Sequence, residues 1–214
     1  MLLDPQHREI AQIALAAAGR RYQVAFAGGG ALQIHDVSAR VTHDVDLFVR
    51  RARNVEKASA VIAEALGQAG YRVEMVSALE ELVDFVVYPP GSADPVQVQV
   101  AFFAYTGTVA KDVGPVVTLD YLAARKMVAL LERHQVRDYV DVASLVDAGY
   151  QIRQLLDMAF TEDPSLTMED AGDAGVHLDQ IADERLDREL PPGQRPAWVR
   201  ATFQDWPRYP VHQD

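Results

Sequence analysis

Two aspartates two residues apart, Asp44 and Asp46, lie in the run VTHDVDLFV, and a glycine triplet, Gly28, Gly29 and Gly30, precedes them by one short segment. Alternation through 41–49 predicts a strand with Val41, His43, Val45, Leu47 and Val49 on one face and Thr42, Asp44, Asp46 and Phe48 on the other. Carboxylates at i and i+2 of a strand point the same way, about 7 Å apart. They can therefore share one or two Mg2+ ions, while the amides of the glycine turn and of the helix after it take phosphate oxygens. The chemistry this suits is binding of a metal-complexed nucleoside triphosphate and in-line attack by a hydroxyl on its α-phosphorus. Isolated acids in edge strands are usually just solvated, but Val45, Leu47 and Val49 make this strand otherwise buried, which favours a site. A dinucleotide-binding turn is disfavoured, because Gln33 stands where G-x-G-x-x-G needs its third glycine.

The elements that must position these residues follow from periodicity. Residues 5–18 read as a helix stopped by Gly19, Tyr22–Ala27 as a short strand, and the glycines as a tight turn into a helix from Ala31. Asn54 is placed to cap a helix running to Ala69 before Gly70. Strands are expected over 71–76, 82–88 and 96–103, then helices over 118–134 and 137–148. Beyond Gln151 the pattern is helical, with Ser165 or Thr167 as caps of a polar helix ending near Leu190. The segments PPGQRP, followed by Trp198, and DWPRYP, carrying Trp206, read as an extended arm anchored on the body. The expected organisation is a core over 1–117 and a C-terminal helical region with a tail over 118–214.

Composition narrows the chemistry. With 214 residues, about half of them apolar and 24% charged, the chain has the balance of a globular protein with a packed core. The absence of cysteine removes disulfides and thiolate metal sites, leaving oxygen or histidine ligands. His35 and His43 lack partners at metal-ligand spacing and read as structural. A net charge of -11 argues against a broad DNA or RNA footprint. Residues 151–214 hold 6 Lys+Arg against 13 Asp+Glu, so the acidic excess lies mainly there. No basic leader with an apolar run and no stretch of ~20 apolar residues is seen, which predicts a cytoplasmic protein without membrane contact.

The run FAGGGALQIHDVSARVTHDVDLFV resembles the signature of polymerase-beta-like nucleotidyltransferases: a Gly-Gly turn, a helix, Arg-x-Thr and Asp-x-Asp. A second block, LAARKMVALLERHQVRDYVDVASLV, is similar to the Lys, Arg and Arg-Asp-x-x-Asp helices of the AbiEii-like nucleotidyltransferases, which include MenT-type toxins of toxin-antitoxin pairs. The resemblance implies an α/β (α+β) fold with a mixed sheet flanked by helices. It implies that Asp44 and Asp46 are metal-binding and catalytic, and that Gly28, Gly29, Gly30 and Thr42 lie against the nucleotide. Lys126 would contact the triphosphate, Arg133 would support nucleotide binding, and Asp141 would orient Lys126 or assist the attacking hydroxyl. Such enzymes commonly carry a third carboxylate on a later strand, where this chain has PVQVQVAFF with Gln97 and Gln99.

The expected function is Mg2+-dependent transfer of a nucleoside monophosphate from an NTP, with release of pyrophosphate, to a tRNA 3' end, with a cognate antitoxin as partner. RNA contacts are expected near Arg40, Arg50, Arg51, Arg53, Lys57, Arg125, Lys126, Arg133 and Arg137, with Arg50, Arg51 and Arg53, directly after the strand, as the acceptor-side candidates. Two alternatives stand beside it. One is transfer to a small hydroxylated molecule such as an antibiotic, since a negative protein suits a cationic acceptor. The other is a non-catalytic nucleotide- or partner-binding module.

Overall fold

The computed structural model describes residues 3–208. The chain divides into two compact units, the first made of residues up to Asp36 and of Thr42–Tyr121, the second of Val37–Val41 and the chain from Leu122 onward.

The first unit opens with α1 (Pro5–Tyr22), whose first turn is capped by the Asp4 carboxylate accepting from the backbone of Gln6 and His7. Gly19 does not stop it. Gly19 is buried within the helix, and the helix ends at Gln23, in the left-handed region at φ 55. β1 (Val24–Phe26) and α2 (Gly28–Ile34) follow, so the glycine triplet forms the first turn of a helix rather than a loop before one. β2 (Asp44–Val49) begins at the first aspartate, leaving Val41 to His43 outside the strand. Asn54 stands at the start of α3 (Val55–Gln68), but its side chain donates to the Tyr22 carbonyl instead of accepting from the helix.

β3 (Arg72–Ala78), β4 (Leu82–Tyr88) and β5 (Val96–Phe102) match the expected strands to within two residues. A hairpin of β6 (Thr108–Lys111) and β7 (Gly114–Val117) was not expected from the sequence, because its short, exposed first strand carries no alternation. The seven strands form one mixed sheet in the order β3-β4-β5-β2-β1-β7-β6. β2 runs parallel to β5 and antiparallel to β1.

The two faces of this sheet differ in chemistry. Val45, Leu47 and Val49 of β2, Val98 and Val100 of β5, and Val83, Phe85 and Val87 of β4 are all buried on one face. Each such side chain removed from water contributes on the order of 1.5–3 kcal/mol before entropy is counted. Helices α1 and α3 pack on one another and on these strands. The opposite face carries Asp44, Asp46, Gln97, Gln99 and Asp84 and is open enough to leave all five at least partly exposed.

The second unit is helical: α4 (Leu119–Arg133) from Leu122, α5 (Val136–Asp147), α6 (Ile152–Glu162), α7 (Met168–Gln180), α8 (Asp183–Asp187) and α9 (Pro196–Thr202). Thr167 caps α7, accepting from the Glu169 backbone, while Asp170 accepts from the Thr167 backbone and hydroxyl. The single polar helix expected to reach Leu190 is broken at Ile181, where an extended backbone ends α7 before the five-residue α8.

The expected extended arm is partly helical, since Pro196 starts α9 from a position where its missing N–H is not needed. Trp198 donates to Asp147 at 2.9 Å, and buried Trp206 donates to the Ala171 carbonyl. Trp206, Phe203 and Tyr139 stack edge to face, and the Tyr139 hydroxyl donates to Ala174 at 2.7 Å. These contacts make both tryptophans anchors. Tyr209 and Pro210, which complete DWPRYP, lie outside the described residues.

Candidate active site

Within the first unit the site is built on the middle of the sheet. The parallel register places Asp44 beside Gln97 and Asp46 beside Gln99. The Ala27 amide donates to the Asp46 carbonyl at 2.9 Å, which ties the start of α2 to β2. Gly28, at φ 64, lies so close that a Cβ there would come within 1.6 Å of Asp46 Oδ2. The carboxylate therefore rests directly on the glycine backbone, and only glycine tolerates both the dihedral and the approach. A Gly28→Ala variant is expected to displace the Asp46 carboxylate and lower nucleotidyl transfer at least tenfold, measured as turnover with saturating NTP. Unchanged turnover would show that this contact does not shape the site.

Gly30 is required for a different reason. A Cβ on Gly30 would stand 2.5 Å from the Phe26 ring, so Gly30 lets α2 pack on β1. Thr42 is buried, with its hydroxyl donating to the Asp44 carbonyl at 3.4 Å, a long contact that braces the approach to β2. His35 bonds the Val117 carbonyl through Nε2 at 2.8 Å, a structural contact. His43 is exposed. His7 of α1 escaped the sequence reading. It is buried, and its pKa is lowered by that burial, with Asp4, His43 and Asp44 all near enough to act on its charge.

The oxygen donors fit Mg2+. Two carboxylates on one open face are what an ion that keeps several waters and leans on substrate phosphates requires. Among the described residues no group of three or more His, Asp and Glu is gathered to hold a metal. The third acid of this face is Asp84 of β4, one strand beyond Gln99. It accepts from Gln99 Nε2 at 3.0 Å and from the Ser77 hydroxyl at 2.7 Å.

Within the second unit, Lys126, Asp141 and Arg40 form one buried cluster. Lys126 Nζ stands 2.6 Å from Asp141 Oδ2, and Arg40 reaches Oδ1 through Nε at 2.9 Å and Oδ2 through Nη2 at 3.3 Å. Only 1% of the Asp141 side chain is exposed. Burial pushes the Asp141 carboxyl up, but the charges of Lys126 and Arg40, with their hydrogen bonds, outweigh it and hold the group at about 2. Both Asp141 oxygens are thus engaged by cations. Arg40 is buried on this cluster, with Glu189 3.5 Å from its Nη1, which removes it from the expected RNA contacts. Its guanidinium is held above its ordinary pKa, since burial is outweighed by Asp141.

Arg133 grips fully buried Asp138 with two bonds of 2.9 and 2.7 Å. Arg50 follows the last residue of β2, and six strand residues carry it about 20 Å from Asp44. Arg51 and Arg53 follow it in sequence, so the basic group begins at the end of β2 opposite to Asp44.

A mixed sheet that presents two carboxylates beside a glycine-opened helix is the arrangement of a nucleotidyltransferase. The chain matches the family described as "Nucleotidyl transferase AbiEii toxin, Type IV TA system" over residues 12–204 and belongs to that family. Among solved structures it is similar to JHP933 from Helicobacter pylori (TM-score 0.61, 12% identity, covering 94% of this chain and 92% of that one). It is also similar to MenT4, a nucleotidyltransferase toxin from Mycobacterium tuberculosis H37Rv (TM-score 0.60, 14% identity, covering 92% and 82%). At such identities these likenesses establish the fold. No curated protein matches. The protein is a nucleotidyltransferase of a toxin family, which sets aside the non-catalytic alternative. Among the described residues no helix is long and apolar enough to cross a membrane.

Proposed function

We propose that this nucleotidyltransferase moves a nucleoside monophosphate from an NTP to the 3' end of a tRNA, acting in the cytoplasm as a toxin restrained by a cognate antitoxin. The observation that carries the chemistry is the pair Asp44 and Asp46 on the open sheet face, with the Asp46 carboxylate against Gly28. Asp44 and Asp46 would hold Mg2+, which would supply positive charge against the triphosphate oxygens. Gly28 and Gly29 keep the backbone clear for the nucleotide, and Thr42 braces the strand entry. Lys126, oriented by Asp141 and Arg40, contacts the triphosphate. Gly30 serves packing and Arg133 supports α5 through Asp138, so neither is a nucleotide ligand in this reading. The acceptor oxygen bonds the α-phosphorus, the bond between the α- and β-phosphates breaks, pyrophosphate leaves, and the hydroxyl proton passes to water.

A second reading, transfer to a small cationic acceptor, is favoured by one observation: the face beyond Asp46 is acidic, with Asp84 on β4 and a net chain charge of -11. The two separate in one experiment. The protein is incubated with Mg2+ and each α-labelled NTP in turn, with total tRNA or a panel of aminoglycosides. Label on tRNA supports the first reading. Label confined to the small molecules overturns it in favour of the second. Chelation with EDTA is expected to stop transfer in either case, and transfer persisting under EDTA would remove the metal from the scheme.

A further inference from the structure

The row that begins with Asp44 and Asp46 continues along β2. Side chains two apart on a strand share a face, about 7 Å from one to the next. Phe48 therefore follows Asp46, and Arg50, the first residue past the strand, follows Phe48. Phe48 is buried, and the Phe103 ring stacks on it with 4.0 Å between centroids. Phe103 is itself only half-buried, and its amide donates to the Val49 carbonyl at 3.0 Å, which fixes it beside the end of β2.

A basic corner begins there. The Gln23 carbonyl accepts from the Arg50 amide at 3.1 Å and from the Tyr105 hydroxyl at 2.6 Å, and the Tyr22 carbonyl accepts from Asn54 Nδ2 at 3.3 Å. These bonds gather the end of α1, the turn between β2 and α3, and the segment just after Phe103. The first brings Arg20 and Arg21 and the second Arg50, Arg51 and Arg53, all exposed. Among the described residues none of the five makes an ion pair. They are a quarter of the 20 Lys and Arg in a chain whose net charge is -11. Crowded like charges without counter-ions repel one another, and an anion from outside relieves them.

We infer that this face of β2 and the corner beyond it form a track for a single RNA strand, with its 3' hydroxyl at the carboxylates, a base on the Phe103 ring and phosphates on the arginines. The inference rests on the nucleotidyl-transfer reading of Asp44 and Asp46 and sets its acceptor as a polynucleotide. Aromatic rings beside a positive surface are how proteins hold single strands without reading sequence. The two ends of the track differ in sign, so the phosphates are drawn to the arginine end and the strand is oriented. A small cationic acceptor would be repelled from that end.

The test uses a fluorescent single-stranded RNA with the 3' sequence of a tRNA, its binding to the full chain followed by anisotropy at several salt concentrations. Binding of a non-hydrolysable NTP analogue and Tm are measured alongside. The double variant Arg50→Gln with Arg51→Gln is expected to weaken RNA at least tenfold at low salt. It should also flatten the dependence of log affinity on log salt by about 1.4, ~0.7 for each lost phosphate contact. Phe103→Leu should weaken RNA at least fivefold at unchanged salt dependence, and Phe103→Tyr should restore it. The NTP analogue should bind within twofold of the parent throughout. RNA affinity within twofold of the parent in both the arginine double variant and Phe103→Leu would overturn the track. So would Phe103→Leu weakening the NTP analogue in place of RNA, or polyglutamate displacing the RNA as well as unlabelled RNA does, which would assign the corner to an acidic protein. RNA bound through these residues but never labelled from an α-labelled NTP would overturn the transfer reading and leave the strand-binding surface standing.

Discussion

Replacing Asp141 by alanine is expected to lower the unfolding free energy by about 3–5 kcal/mol, the cost of leaving buried cations without their counter-ion. For a chain of this size that is a fall in Tm of roughly 10 °C. The reason is geometric. Lys126 and Arg40 are 13% and 8% exposed, and both direct their charges at one carboxylate that water does not reach. The same cluster sets a pH dependence. The folded pKa of Asp141, about 2, lies below its ordinary 3.8. Its contribution is therefore complete above 3.8 and is lost as pH falls from 3.8 through 2. Thermal unfolding of the parent should weaken more steeply across that window than unfolding of the Asp141→Ala variant. Parallel curves, or a Tm shift of only a degree or two, would mean that the cations are satisfied elsewhere.

The second large effect is on chemistry. Asp44→Ala and Asp46→Ala are each expected to reduce nucleotidyl transfer at least a thousandfold, about 4 kcal/mol of barrier, because each removes one of two charges proposed to hold the metal. Both side chains are only partly buried, so Tm should stay within a few degrees of the parent. Asp46→Asn separates charge from shape, since the amide fits against Gly28 but binds the ion poorly. Its activity should resemble that of the alanine variant.

The contrast between these two sites shows what a linear reading can reach. The Asp44/Asp46 strand was legible because period-two alternation of valines and leucine with acids is a local signal, and a glycine triplet after a short apolar strand is another. Helices α4 and α5 were legible from their periodicity, and Lys126 with Asp141 came from the resemblance. Arg40 was read as an RNA contact because nothing local says that a partner 101 residues away will bury it. For the same reason the segment Val37–Val41 gave no sign that it would pack with the second unit.

Gln97 and Gln99 were read as a missing acid, whereas the strand pairing sets an acid on the neighbouring strand and bonds it to one of those amides. Register between strands 15 residues apart is a tertiary outcome of hairpin and sheet closure, and periodicity carries no record of it. Helix ends failed where packing overrode propensity, as at buried Gly19, which α1 passes through.

The central claim is that Asp44 and Asp46 run transfer at the α-phosphorus, and parallel reactions with α-labelled and γ-labelled NTP test it most directly. With Mg2+ and tRNA, α-label is expected on the acceptor and γ-label in pyrophosphate. Both signals should fall at least a thousandfold in Asp44→Ala and Asp46→Ala. Label from the γ-position on the acceptor, or full α-label transfer by either variant, would contradict the account.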